Sequence, residues 1–213
     1  MNFCADQLLL YAVTDRAWVG RQTLLEQIED ALRGGVTMVQ LREKELPEDA
    51  FTAEAMEVKA LCHRYGVPLL IDDNVDVALK SGADGVHVGI EDTPVAEIRA
   101  RAGRDFIIGS TAKTVEQARA AQAAGADYLG VGAVFPSPTK KNAVRITVEQ
   151  LRDICGSVTI PAVAIGGISL DNIRELRGGG MRGVAVISAL FGADDIAGAA
   201  RALKQEALSA VTR

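Results

Sequence analysis

Cysteine is scarce and scattered in this chain. Cys4, Cys62 and Cys155 are the only three in 213 residues, and no two form a C-x-x-C pair. That spacing argues against a thiolate metal cluster and supplies no disulfide framework, so a reduced, cytoplasmic protein is expected. Cys62, set among apolar neighbours, reads as core. No apolar run is long enough to span a bilayer, and the N-terminus lacks the basic start of a secretory leader. Histidine occurs only at positions 63 and 87, and no nucleophile–base–acid triad stands out. Cationic side chains are outnumbered, 23 against 28, for a net charge of -5. This argues against a general nucleic-acid or acidic-membrane surface but leaves room for a small basic pocket.

What the chain does have is apolar content, 48% of residues, enough for one large core in one domain spanning residues 1–213. Short β-rich runs recur: "LLLYAVT", "TMVQLR", "PLLIDD", "GVHVG", "FIIGSTA", "YLGVGAVF", "IPAVAIGG" and "GVAVISAL". Between them lie segments with helical spacing. In the first, Leu24, Leu25, Ile28, Ala31 and Leu32 share a face, and Gly34-Gly35 closes it. Thr114-x-x-Gln117 and Thr147-x-x-Gln150 have the form of capping boxes. "SGADGVHVG" and "AGADYLGVG" read as one repeated unit, a helix stop feeding a strand, with "GGGMRGVAVI" a degraded copy. Near-continuous apolar strands alternating with helices predict a parallel sheet covered by helices. Eight such units predict a (β/α)8 TIM barrel, an α/β fold. An open doubly wound sheet would want a phosphate-binding glycine loop after the first strand, and "AVTDRAWVG" offers none.

In such barrels chemistry sits at the C-terminal strand ends. Strand side chains alternate faces, so Gln40, Arg42 and Lys44 of "MVQLREK" are expected to point into the barrel mouth, with Val39 and Leu41 facing out. Lys113, Lys140 and Lys141 fall on the same rim; Lys113 or Lys141 alone could equally be a solvated loop residue, a reading that fits Arg42 and Lys140 together less well. Asp73 and Asp92 end neighbouring strands; they read either as a two-carboxylate magnesium site completed by substrate phosphates or as helix N-caps. The glycines of "IGGIS" and the backbone of "VISAL" suggest a second anion site at strands seven and eight. His87 points inward, for ring packing or a structural hydrogen bond, with acid–base catalysis behind both. His63 reads as a surface or capping residue near the end of the second helix. Two anion sites, one of them magnesium-assisted, suggest the joining of two phosphorylated molecules with loss of pyrophosphate.

The pieces "QLREK", "DDNVDVAL", "GVHVGIED", "GADYLGVGAVFPSPTKK", "PAVAIGGIS" and "GVAVISAL", in this order, resemble the thiamine-phosphate synthases, from "YAVTD" at 11–15 to "AARALKQE" at 199–206. The resemblance implies a (β/α)8 barrel that couples 4-amino-2-methyl-5-(diphosphooxymethyl)pyrimidine to a phosphorylated hydroxyethylthiazole. The products would be thiamine phosphate and pyrophosphate. It places Gln40, Arg42 and Lys44 in the pyrimidine diphosphate site, magnesium on Asp73 and Asp92, and Thr111 against the pyrophosphate. Ser137 and Thr139 would face the thiazole phosphate, Lys140 the diphosphate, and Gly167, Ile187 and Ser188 would give backbone contacts to the thiazole phosphate. Three positions depart from the family's pattern. Asp72 stands where Asn is common beside the pyrimidine, Ile90 where Gln is frequent, and Lys113 where His is frequent.

The family is thought to pass through a pyrimidine carbocation, which calls for charge neutralisation by Arg42, Lys44, Lys140 and magnesium more than for a base. The expected partners are the two small-molecule substrates, with neither nucleic acid nor membrane; a homo-oligomer stays open. Rival readings are a thiazole tautomerase, which would want a proton-transfer residue where "STAKT" has none, and a sugar-phosphate isomerase or lyase, which leaves a second cationic site unexplained. A non-catalytic barrel that binds a thiamine precursor should have lost Asp73, Asp92 or Lys140, and all three are present.

Overall fold

Eight short parallel strands close on themselves in chain order in a computed structural model that describes residues 3–20, 22–137 and 144–211. They are β1 (Leu10–Val13), β2 (Met38–Leu41), β3 (Leu69–Asp72), β4 (Gly85–Val88), β5 (Ile107–Ala112), β6 (Tyr128–Gly132), β7 (Ala162–Ile165) and β8 (Gly183–Val186). The ring is completed where β8 pairs with β1, Tyr11 lying opposite Ala185. The predicted (β/α)8 barrel is the observed one.

The outer ring comprises α1 (Leu24–Arg33), α2 (Glu48–Arg64), α3 (Val75–Ser81), α4 (Val95–Ala102), α5 (Val115–Ala124), α6 (Val148–Gly156), the short α7 (Ser188–Phe191) and α8 (Ile196–Val211). Its spacing differs from one helix per strand. A four-residue 3-10 turn, Ile173–Leu176, joins β7 to β8, and two helices follow β8. "ISAL", expected as strand, leaves the sheet after Val186 and opens α7.

Alternation along the strands divides the apolar side chains into two layers. Val39, Leu41, Ile71, Val86 and Ile108 face the helices, with Ile28, Val58, Ile98 and Leu203 among their partners. Tyr11, Val13, Met38, Leu70, Ile107, Tyr128, Val163 and Ala185 fill the barrel. On α1, Leu24, Ile28, Ala31 and Leu32 are buried and Leu25 is half-buried. Thr147 forms its capping box with Gln150. Thr114 caps the Gln117 N–H, but the Gln117 carboxamide reaches one residue further back and accepts from the Lys113 N–H at 2.8 Å.

The repeated Gly-Ala-Asp unit has a mechanical role. Gly82 and Gly125 take left-handed caps (φ 66° and 99°) that end α3 and α5. The aspartate two residues on accepts a backbone N–H from the preceding strand: Asp84 from Leu69 at 2.9 Å, Asp127 from Ile108 at 2.7 Å. Each carboxylate also has a cation-capable partner, His63 at 2.8 Å and Arg99 at 2.7 Å. In the degraded third copy the position is Arg182, which has no carboxylate to offer. It keeps the backbone bond of the other two, its N–H donating to the Ala162 carbonyl as Asp84 donates to Leu69 and Asp127 to Ile108. Asp127→Ala is therefore expected to leave the Ile108 N–H unpaired at a buried strand start and cost about 2 kcal/mol, read from urea unfolding. A change within a few tenths of a kcal/mol would show that water replaces the carboxylate there.

Candidate active site

Strand alternation delivers the mouth residues as expected. Gln40 is buried inside the barrel, its carboxamide donating to the Tyr11 hydroxyl at 2.7 Å. Arg42, one step beyond the end of β2, has its backbone N–H held by the Thr14 hydroxyl at 2.9 Å. Its guanidinium is already paired, to Asp15 at 3.1 Å, with Asp72 at 3.8 Å. Lys44 bridges Asp72 at 2.8 Å and Asp73 at 2.5 Å. The cations therefore converge, but onto carboxylates, which offset the like-charge repulsion.

Asp73 has a left-handed backbone, φ 59°, unusual outside glycine, and its N–H donates to the His87 carbonyl at 2.9 Å. That bend aims its side chain at the Gly89–Asp92 turn after β4, where Asp92 accepts the Gly89 N–H at 2.7 Å. Asp73 and Asp92 lie within hydrogen-bonding reach of one another. Neither is a helix cap: Asn74 caps α3, and Pro94 precedes α4. Burial and the neighbouring Asp73 push Asp92 above the usual carboxylate range. Burial also opposes the charge on Asp73, but the Lys44 and Asp92 hydrogen bonds outweigh it and hold that group low. Asp72 is raised by burial and by Asp73, and the Lys44 ammonium at 2.8 Å lies too far off line to make a true hydrogen bond to its buried Oδ2. For Lys44, burial disfavours the charge, yet its ion pair with Asp72 and the hydrogen bond it donates to Asp73 leave it above its usual range.

Inside the mouth His87 does both things expected of it. Its ring stacks at a tilt on Tyr128, centroids 5.5 Å apart, and both nitrogens are bonded, Nδ1 to the Tyr128 hydroxyl at 2.9 Å and Nε2 to Thr111 Oγ1 at 3.2 Å. Gly109 lies between His87 and Tyr128 in the sheet, and a Cβ there would sit 2.2 Å from the Tyr128 ring. Gly130 likewise leaves the space that His87 occupies, 2.8 Å from a Cβ.

Across the mouth, Gly166 and Gly167 are left-handed (φ 99° and 64°) and press on the segment after β6; a Cβ on Gly167 would meet the Pro136 carbonyl at 2.1 Å. Ile187 and Ser188 open α7. Ser137 follows β6 and is half-buried. Thr139, Lys140 and Lys141 lie outside the described residues. Lys113 follows β5 and Ile90 is exposed on the turn before Asp92.

Sequence reasoning did not assign Asp15, Tyr11 and Tyr128. Asp15 follows β1, caps the Ala17 N–H at 2.9 Å and pairs with Arg42. A carboxylate just past a strand end was the available signal. The two tyrosines were hidden because a single aromatic in an apolar run reads as packing.

The sequence model described as thiamine monophosphate synthase matches residues 10–190. A thiamine-phosphate synthase of Ruminiclostridium cellulolyticum is 46% identical over 194 residues, 91% of this chain and 92% of that protein. Thiamine-phosphate synthase 2 of Streptococcus pneumoniae serotype 4 is 46% identical over 191 residues, covering 90% and 91%. The solved thiamine phosphate pyrophosphorylase from Pyrococcus furiosus superposes with a TM-score of 0.89 at 39% identity, covering 98% of this chain and 99% of that one.

Burial holds the His87 ring down at about 4, with the Asp73 charge opposing. The unfolded chain takes up a proton on this ring near its ordinary 6.5 and the folded one only near 4. Stability from this source is full above the higher value and is lost as pH falls through that window. Wild type is expected to lose about 2 kcal/mol more than His87→Gln between pH 7 and pH 5, by urea unfolding of both proteins. Identical pH dependence would assign the loss to other groups.

Proposed function

We propose, from the premise that this chain belongs to the thiamine monophosphate synthase family, that it makes thiamine phosphate and pyrophosphate. The substrates are 4-amino-2-methyl-5-(diphosphooxymethyl)pyrimidine and 4-methyl-5-(2-phosphoethyl)thiazole. The reaction is the transfer of a pyrimidinylmethyl group from a diphosphate to the thiazole nitrogen. The three thiols stand free, Cys62 buried and pushed up to about 12 by burial, which fits the reducing conditions of a cytoplasm. Among the described residues no helix is long and apolar enough to cross a membrane.

One observation carries the residue-level reading, the line of paired charges across the ends of β1 to β4. Two cations, Arg42 and Lys44, face four carboxylates, Asp15, Asp72, Asp73 and Asp92. Even with a proton held on Asp92, these groups leave the mouth with an excess of negative charge. A diphosphate needs added positive charge to enter. Asp73 and Asp92, within hydrogen-bonding reach of one another, offer magnesium two carboxylates. A two-carboxylate site leaves the other positions to water and substrate oxygens, as this ion prefers. When bound there, magnesium would supply positive charge to the diphosphate oxygens.

The protein's own groups then exchange partners. Lys44, freed from Asp73, turns to the departing pyrophosphate, and Arg42 keeps Asp15 as an orienting partner while its fork meets two oxygens. Asp72 stays beside the pyrimidine ring as the carboxylate that faces the cationic character developing on its methylene carbon. Gln40 holds the aminopyrimidine edge and Thr111 meets the pyrophosphate. Gly167, Ile187 and Ser188, with Ser137 and Thr139, hold the thiazole phosphate so that its ring nitrogen faces the carbon. Lys140 adds a further cation at the diphosphate.

Two measurements test this. Calorimetry of the pyrimidine diphosphate in excess chelator should show binding at least about tenfold weaker than with magnesium, a difference of about 1.4 kcal/mol. Equal affinity would remove the metal from the reading. Arg42→Lys keeps the charge but loses the fork, so kcat for thiamine phosphate formation should fall on the order of 100-fold while the melting curve holds. A variant within twofold of wild type would falsify the inward role of Arg42.

A further inference from the structure

Five polar side chains from five strands form a continuous hydrogen-bonded line through the barrel. Gln40 bonds Tyr11 at 2.7 Å, Tyr11 bonds Tyr128 at 2.9 Å, Tyr128 bonds His87 at 2.9 Å, and His87 bonds Thr111 at 3.2 Å. The two phenols are buried, and each has a single proton to give. Every link must hold one proton, because two protons or two lone pairs facing each other would leave a buried group unsatisfied.

With a neutral imidazole, only two arrangements fill all four links and also spend both buried phenol protons. In the first, the Gln40 amide donates to Tyr11, Tyr11 to Tyr128, Tyr128 to His87 Nδ1, and the His87 Nε2–H to Thr111. The Thr111 proton is then free to point into the mouth. In the second every link is reversed, the Gln40 amide is turned over, and the Thr111 proton is spent on His87. The structure has Nε2 of Gln40 on Tyr11, the first arrangement.

We propose that this line is a polarity relay in which Tyr11, Tyr128 and His87 act as positioning residues, making the hydrogen-bonding sense of the ring at Gln40 decide whether Thr111 offers a donor to the diphosphate. The proposal rests on the placement of the pyrimidine at Gln40 given above. A carboxamide pairs with an aminopyrimidine edge through its oxygen to the amino group and its second N–H to the ring nitrogen. In a fixed ring pose that match holds for one orientation of the amide. A 4-oxo ring presents the reverse edge, an acceptor where the amino group was and a ring N–H beside it. It would turn the amide over, reverse the line, and set Thr111 lone pairs against the anion. The barrel thus rejects the wrong ring at the diphosphate as well as at the ring.

The test compares 4-amino and 4-oxo pyrimidine diphosphates on wild type and on Tyr128→Phe, which keeps the ring and breaks the line at its centre. Wild type should prefer the 4-amino substrate in kcat/KM, and Tyr128→Phe should narrow that preference about tenfold, since each end is then free to orient alone. Thr111→Val should narrow the preference in wild type and leave it unchanged in the Tyr128→Phe background, because Thr111 discriminates only through the line. Nitrogen NMR of the ring, with exposed His63 replaced by Gln to leave one histidine, should show His87 protonated on Nε2 in the complex with the 4-amino diphosphate. Tyr11→Phe breaks the line at a second point and serves if Tyr128→Phe does not fold. If the diphosphate fails to bind wild type by calorimetry, the functional reading itself is overturned. If it binds and turns over, but preference is unchanged in both phenylalanine variants or His87 is protonated on Nδ1, the relay alone is overturned.

Discussion

Closure of the sheet, made by β8 pairing with β1, is the constraint from which the interior follows. A closed ring of eight strands leaves an interior only wide enough for alternate side chains to fill. Tyr128 and His87 can enter that space only where neighbouring strands give up theirs, and Gly109 and Gly130 do so. Polar groups placed in so dry a space must bond to one another. Closure, glycine and hydrogen bonding are therefore one requirement seen at three levels.

At the mouth the balance shifts from packing to charge. Burial works against the charge on Lys44, Asp72, Asp73 and Asp92, and pairing holds the outcome: Lys44 and Asp73 stay charged because they hold each other, while Asp92 keeps a proton more readily. Such a set is poised for exchange, since an incoming anion and a cation can each take over one partner of an existing pair without leaving a buried charge alone.

All eight strands were legible because apolar, β-branched runs bounded by turn residues carry a strong signal. The end of β8 was not, since Ile187 and Leu190 look as strand-like as Val184 and Val186, and only the register with β1 says where pairing stops. The connection from β7 to β8 also escaped, because the glycines 178–180 cut a plausible helix down to a single 3-10 turn. In the mouth, alternation was enough to aim Gln40 and Arg42 inward. The partners Asp15 and Tyr11 needed the third dimension, because their proximity arises from the pairing of β1 with β2 and β8 and not from spacing along the chain. His63 was read correctly from its place in the last turn of α2, where it is exposed and meets Asp84.

The last helix, α8, lies against the end of the first. Gly34 has no side chain because Ala200 and the Ala197 carbonyl already fill that space, within 2.4 and 2.6 Å of where a Cβ would be. Arg174 and Arg177, around the 3-10 turn, reach across to Glu206 and Ser209 of the same helix. During synthesis this covering arrives last. A nascent chain whose β8 is still in the ribosome carries two unpaired strand edges, on β1 and β7, and an end of α1 that lacks the helix packed on it. The chain's first and final segments must therefore wait for one another, and the interval between them is the period in which a chaperone would find most to hold.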